Sequence, residues 1–196
     1  MKLYRPVGLK ELELILADNA KTYPPRLAWQ PIFYPVLNFE YARQIATRWN
    51  LDDELSGYAG FVTEFDIDDA YVAKFEVQNV GGHLHNELWV PAAELAEFND
   101  QIIGKIQVSA AFYGEKYTGK LKQVQALAGL DAHQQLEHMS TLTQDRAAIA
   151  QIIDTDAASI LVNFAYWQQA NPQAEVLPLI QQVWQEVLPQ QILCVQ

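Results

Sequence analysis

The sequence predicts an α+β domain over residues 1–118, followed by an all-helical extension over residues 119–196. Three observations carry this division. Before residue 118, short runs rich in β-branched and aromatic residues alternate with segments of helical period, the pattern of strands and helices sharing one core. After Gly119 only Gly129 remains of the glycines that hairpins favour, 15 of the 20 glutamines gather there, and apolar residues recur at helical spacing. Hydrophobic residues make up 50% of the 196-residue chain, enough to bury a substantial core.

Taken in order, the run LYRPV near residue 2 reads as a strand that Pro6 confines to a sheet edge or a strand end, with Arg5 where it stops. Leu9, Leu12 and Leu16, with Glu11 and Glu13 opposed, predict a helix closed by Asp18 and Asn19. A loop punctuated by Pro24, Pro25 and Pro31 leads to a second strand, PIFYPVL. Asn38 then suits the N-cap of FEYARQIATRWN, in which Phe39, Ala42, Ile45, Ala46 and Trp49 share one face. YAGFVTEFDI is rich in β-formers, DDAYVAKFEV reads as a helical turn entering another strand, and QIIGKIQVSAAFYG alternates Ile106, Val108 and Ala110 against Lys105, Gln107 and Ser109. In the extension, helices are expected near residues 121–128, 131–139, 146–153, 157–169 and 176–187. Ile160, Phe164 and Trp167 form one apolar stripe, and Leu177, Ile180, Trp184 and Val187 another.

Charge narrows the partners. Thirteen Lys and Arg against 24 Asp and Glu give a net charge of -11, a field that repels nucleic-acid phosphates and anionic lipid heads. Acids crowd residues 52–76, a solvated surface or a docking site for a basic protein partner. No apolar run approaches the roughly 18 residues of a membrane helix, and Arg5, Lys10, Glu11 and Glu13 interrupt the N-terminal apolar residues. With a single cysteine, Cys194, the expected location is the cytoplasm, and no membrane or nucleic-acid partner is expected.

The stretch VGGHLHNELWVPAAELAEFNDQIIG, residues 80–104, concentrates the candidate chemistry. Gly81 and Gly82 permit a turn. From His83 a strand period of two would put His83, His85, Glu87 and Trp89 on one face and Leu84, Asn86, Leu88 and Val90 on the other. Pro91 and Glu94 then suit the first turn of a helix. Strand, carboxylate, helix is the expected order.

The runs LYR, FYPVLNFEYARQIATRWN, AGFVTEFDIDDAYVAKF and ELWVPAAELAEFNDQIIGKI resemble small bacterial proteins grouped under ADP-ribosylation labels. Their layout is similar to the ADP-ribosyltransferase fold, an α+β split sheet with flanking helices. The likeness covers roughly residues 1–114. It implies NAD as substrate, held by Arg or His on the first strand, Ser or Tyr on the second and Glu on a later one. Arg5, Tyr34 and Glu87 match these positions, so the resemblance assigns Glu87 as the catalytic carboxylate and Arg5 to the pyrophosphate. Tyr34 or Tyr41 would stack on the nicotinamide. His85, expected with Arg5, Tyr34 and Tyr41 among the NAD-binding residues, stands where side-chain-modifying transferases often carry Glu or Gln, which leaves the acceptor open. The expected reaction is cleavage of the nicotinamide–ribose bond with transfer of ADP-ribose, and it requires these side chains to converge on one cleft.

Two other readings stand beside it. One is a non-catalytic protein-binding module on the same fold, favoured by the acidic surface and the glutamine-rich helices. The other, less favoured, uses His83, His85 and Glu87 as a metal-chelating set, and no metal ligand is expected under the main reading. P-loop, dinucleotide glycine fingerprint, nucleophile elbow and zinc-spaced cysteines are all missing from the sequence.

Overall fold

A computed structural model describes residues 1–194. The chain divides into two compact units, Met1–Glu115 and Lys116–Gln196, the first mixed α and β and the second helical among the described residues.

The first unit is built on antiparallel strands. Strand β1 (Lys2–Gly8) runs directly into helix α1 (Leu9–Ala17), and β1 pairs along its whole length with β3 (Ala59–Ile67), which pairs in turn with β7 (Ile102–Tyr113). On its other side β1 meets Val36 through two backbone bonds with Tyr4, its one backbone partner there among the described residues. Pro6 is tolerated because its missing N–H would point to that same side, beyond the last partner. The PIFYPVL run is a regular strand only over β2 (Ile32–Phe33), but it stays in one antiparallel register opposite β5 (Asn86–Leu88) and β6 (Val90–Pro91). Ile32 opposes Pro91, Phe33 opposes Val90, and Val36 opposes Glu87. Strand β4 (Val77–Asn79) closes a hairpin with β5.

The two faces of this sheet carry different partners. Helix α2 (Phe39–Arg48) covers one, packing Tyr41, Ala42 and Ala46 on Val36 and Val62 with Tyr4, Ala110 and Phe112 around them. Asn38 caps it, accepting from the Glu40 and Tyr41 amides. Gly60 lets α2 lie close, since a Cβ there would run into the Ala46 carbonyl. The opposite face buries Leu3, Arg5, Phe33 and Phe65 beneath Tyr23 and Phe98, the latter on α4 (Leu95–Asp100). Helix α3 (Asp69–Val72) is one turn, capped by Asp68. In β7 the expected alternation holds through Ile106 and Val108 and then slips, because a register shift opposite Val62 and Thr63 turns Ala111 inward.

The second unit contains α5 (Ala132–Ser140), α6 (Arg146–Ala170) and α7 (Val176–Val187). Two expected helices are one: α6 runs through both, with a kink at Asp156, whose φ of -127° and ψ of 30° are not helical. The helix expected near 121–128 is a series of turns. The kinked Asp156 is the reason, for its buried carboxylate accepts the amides of Gln125 at 2.6 Å and Leu127 at 2.8 Å and fixes that backbone in a non-helical path. Helix α6 is, by length and composition, apolar enough to cross a membrane, but here Ile149, Ile153, Ile160, Phe164 and Trp167 are buried together with polar Ser159 and Asn163. Those polar groups are satisfied by Gln135 and the Gly119 carbonyl.

Candidate functional site

Glu87 lies at the middle of β5 and is 8% exposed. Because Tyr4, Val36 and Glu87 oppose one another across adjacent strands, their side chains share the face that α2 covers. The Glu87 carboxylate is held from two sides. Its Oε1 accepts the Trp89 indole N–H at 2.7 Å, and its Oε2 accepts the Tyr41 hydroxyl at 3.3 Å. Trp89 is two residues on and therefore on the same face. The register sets Tyr34 opposite Trp89, and their rings meet edge to face at 6.2 Å. Burial first, then the Glu87 charge and hydrogen bond, push the Tyr41 phenol above its ordinary value, so it stays protonated as a donor.

His85 joins from the hairpin turn. Its ring lies 4.5 Å from the Tyr41 ring, its Nδ1 accepts the Gly82 amide at 3.1 Å, and its Nε2 faces Gln44 Oε1 at 3.1 Å. With Nδ1 accepting, Nε2 carries the proton and donates to Gln44. Both ring nitrogens are therefore engaged, and the ring serves to buttress Tyr41. The expected continuous strand from His83 is instead a turn, with regular pairing only from Asn86. His83, His85 and Glu87 therefore do not line up along one strand, and among the described residues no group of three or more His, Cys, Asp or Glu is placed to hold an ion.

Arg5 is elsewhere. It neighbours Tyr4 on β1 and so points to the other face, where its Nε donates to Glu11 Oε1 at 3.0 Å, its Nη2 to Glu11 Oε2 at 3.4 Å and its Nη1 to the Tyr34 carbonyl at 3.2 Å. Its guanidinium also lies 4.6 Å from the centre of the Phe33 ring. The expected convergence of Arg5 with Glu87 on one cleft is not formed. The pleat of β1 decides this, since one residue of offset reverses the side. Arg5 is tied to the site only through the backbone of Tyr34.

The structure thus gathers Glu87, Tyr34, Tyr41 and His85 and leaves Arg5 behind the sheet. It adds Trp89 and Gln44 to the site, and Glu11 and Arg26 to the Arg5 group, Arg26 Nη1 lying 3.5 Å from Glu11 Oε1. Trp89 was legible as a same-face neighbour of Glu87, whereas nothing in the sequence ties Arg26 to Glu11. Trp89 is also one wall of an open pocket of about 320 Å³ that includes Lys74, Phe75, Gln78 and Glu94. Its side chain thus both borders that pocket and donates to the carboxylate.

A buried carboxylate held by a phenol and an indole favours a cationic or cation-forming ligand, because the anion attracts positive charge directly. Comparison with protein-family models, with curated proteins and with solved structures gives no match for this chain, and the functional reading rests on the geometry of this site.

Proposed function

We propose that the first unit is an ADP-ribosyltransferase-type domain that takes NAD as substrate, cleaves the nicotinamide–ribose bond at Glu87 and passes ADP-ribose to an acceptor, with the expected role of Arg5 on the pyrophosphate given up because Arg5 lies on the opposite face, so that the reading rests on Glu87 and its aromatic neighbours alone. The observation that supports this most is the Glu87 carboxylate itself, buried and fixed by Trp89 and Tyr41, with Tyr34 packed edge to face on Trp89.

In the proposed step the bond from ribose C1′ to the nicotinamide nitrogen breaks with both electrons passing to the nitrogen, which neutralises the pyridinium. Positive charge develops on the ribose, and Glu87 stabilises it more than the bound substrate, in which that charge sits on the ring. An acceptor nucleophile then bonds to C1′ and gives up a proton. Each carboxylate oxygen has lone pairs beyond those used by Tyr41 and Trp89, so Glu87 can also accept a ribose hydroxyl without releasing them. The exposed Tyr34 provides a ring face for the nicotinamide, while Tyr41, buried and covered by His85, holds Glu87. Arg5 acts as a positioning residue, holding the carbonyl of Tyr34. Movement of the half-exposed Trp89 would open the adjoining pocket onto Glu87. The proposed setting is the cytoplasm, in keeping with the single, reduced Cys194.

A second reading has one observation in its favour. With Arg5 turned away, none of the residues gathered at Glu87 is a cation for the substrate's phosphates, and a protein-binding module could use the same carboxylate and aromatic residues for a cationic side chain of its partner. NAD turnover by the wild type and by Glu87→Gln separates the two. The enzymatic reading expects nicotinamide release by the wild type, a fall of at least about 100-fold in the variant and an unchanged melting temperature. No release by the wild type leaves the binding module.

A further inference from the structure

Strand β4 is the outer member of its hairpin, and its far side is bare main chain. Across the hairpin, Leu88 donates its amide to the Pro35 carbonyl and Asn86 offers its carbonyl to Leu37, so both turn toward the β2 segment. Glu87, between them, turns its own amide and carbonyl to β4, where Gln78 stands opposite. By the same alternation Val77 and Asn79 aim theirs away from β5, and among the described residues no hydrogen bond reaches these four groups. Val77 is 52% exposed, so the edge is open to solvent.

A pocket lies on each face of this edge. Because Gln78 is opposite Glu87 and Val77 opposite Leu88, Gln78 shares the face of Glu87 and Trp89, and Val77 takes the other. On the first face Glu76, Gln78 and Trp89 border the opening of about 320 Å³ that also holds Lys74, Phe75 and Glu94. Lys74 is engaged by Glu94 at 2.9 Å and Glu97 at 3.5 Å, whereas Glu76 has no ion pair or hydrogen bond among the described residues. Three carboxylates therefore stand against one ammonium. On the second face Val72, Phe75, Val77 and Leu88 border an opening of about 340 Å³, apolar but for Asp69.

We infer that this edge takes an extended segment of a partner protein as an added strand, one that alternates basic and aliphatic side chains. Main-chain bonds to Val77 and Asn79 hold the segment, and the two faces select its sequence. A side chain set beside Gln78 enters the acidic pocket, where a lysine or arginine meets Glu76 and the rings of Phe75 and Trp89. Its neighbours, beside Val77 and Asn79, turn to the other face and bury an aliphatic group against Val72 and Leu88. A chain of net charge -11 draws such a segment and repels an acidic one. None of this depends on NAD cleavage at Glu87.

Calorimetric titration of the full chain with an acetylated and amidated hexapeptide of alternating lysine and valine tests this. It should bind with a dissociation constant below about 1 mM, and at least about tenfold more tightly than a glutamate–valine hexapeptide or one with its lysines and valines in two blocks. Only one set of amides faces β4 in an added strand. Methylating the valine amides and methylating the lysine amides should therefore have opposite outcomes, one abolishing binding and the other sparing it. Glu76→Lys should weaken the peptide at least about tenfold with an unchanged melting temperature. Val77→Pro should weaken it too, by removing an outward amide that β5 does not use. Equal affinity for the alternating and two-block peptides, equal affinity of the two methylated forms, or undiminished binding by Glu76→Lys overturns the inference. So does a dimer of the full chain that ignores the peptide and that Val77→Pro dissolves, which gives the edge to a second copy.

Discussion

Replacing Glu11 by Gln tests the charge imbalance behind β1. The wild-type group holds two cations and one anion; the substitution leaves two buried cations and none. Removing one partner of a buried ion pair costs about 3–5 kcal/mol. Glu11 is 25% exposed, and the amide oxygen still accepts one bond, so about 2–3 kcal/mol is expected here. Adding Arg26→Gln returns the group to a single cation, which Tyr34 and Phe33 still hold, and the total cost should drop below about 1 kcal/mol. Arg26→Gln alone removes the surplus and should be neutral or stabilising. Native-state hydrogen exchange at the amides of β1 and β3 is the suitable assay, because the two units need not unfold together and Trp167 and Trp184 of the second unit would blur a fluorescence melt. A cost for Glu11→Gln under about 0.5 kcal/mol, or a double variant less stable than Glu11→Gln, would refute the reasoning.

Two further outcomes are expected. Asp156→Ala leaves the part-buried Gln125 amide and the buried Leu127 amide without acceptors, which should cost about 2–4 kcal/mol and raise exchange first in residues 121–130. The Ser56 hydroxyl, ahead of the Leu55 and Ser56 amides and Lys10, holds the Asp53 carboxyl below its ordinary value, with burial opposing. Its folded value being depressed, the stability that Asp53 adds is present above the unfolded value near 4 and lost as pH falls through the folded value. Asp53→Ala should therefore be less stable than the wild type at pH 6, with the difference shrinking in titrations below pH 4.

The alternation of strand and helix was readable because each signal is local. Asn38 caps α2 as its residue type and position demand, and β1, β3 and β7 form where β-formers run. Local signals misled where a distant group intervened: the 121–128 segment has helical spacing, but Asp156, some thirty residues on, claims its amides. The site divides in the same way. The aromatic residues beside Glu87 follow from a period of two and one antiparallel register. Arg5 could not be placed, because which face a side chain takes relative to Glu87 depends on how three strands align, and a single residue of register reverses it. Arg26 carries no local pattern, and only the folded loop brings it to Glu11.

The most direct test of the account follows NAD and nicotinamide together by proton NMR in the wild type and in Glu87→Gln, each at matched folded concentration. The account predicts one nicotinamide formed per NAD lost in the wild type, and almost none in the variant while its amide spectrum stays folded. Equal nicotinamide release from both proteins, or none from either, would contradict it.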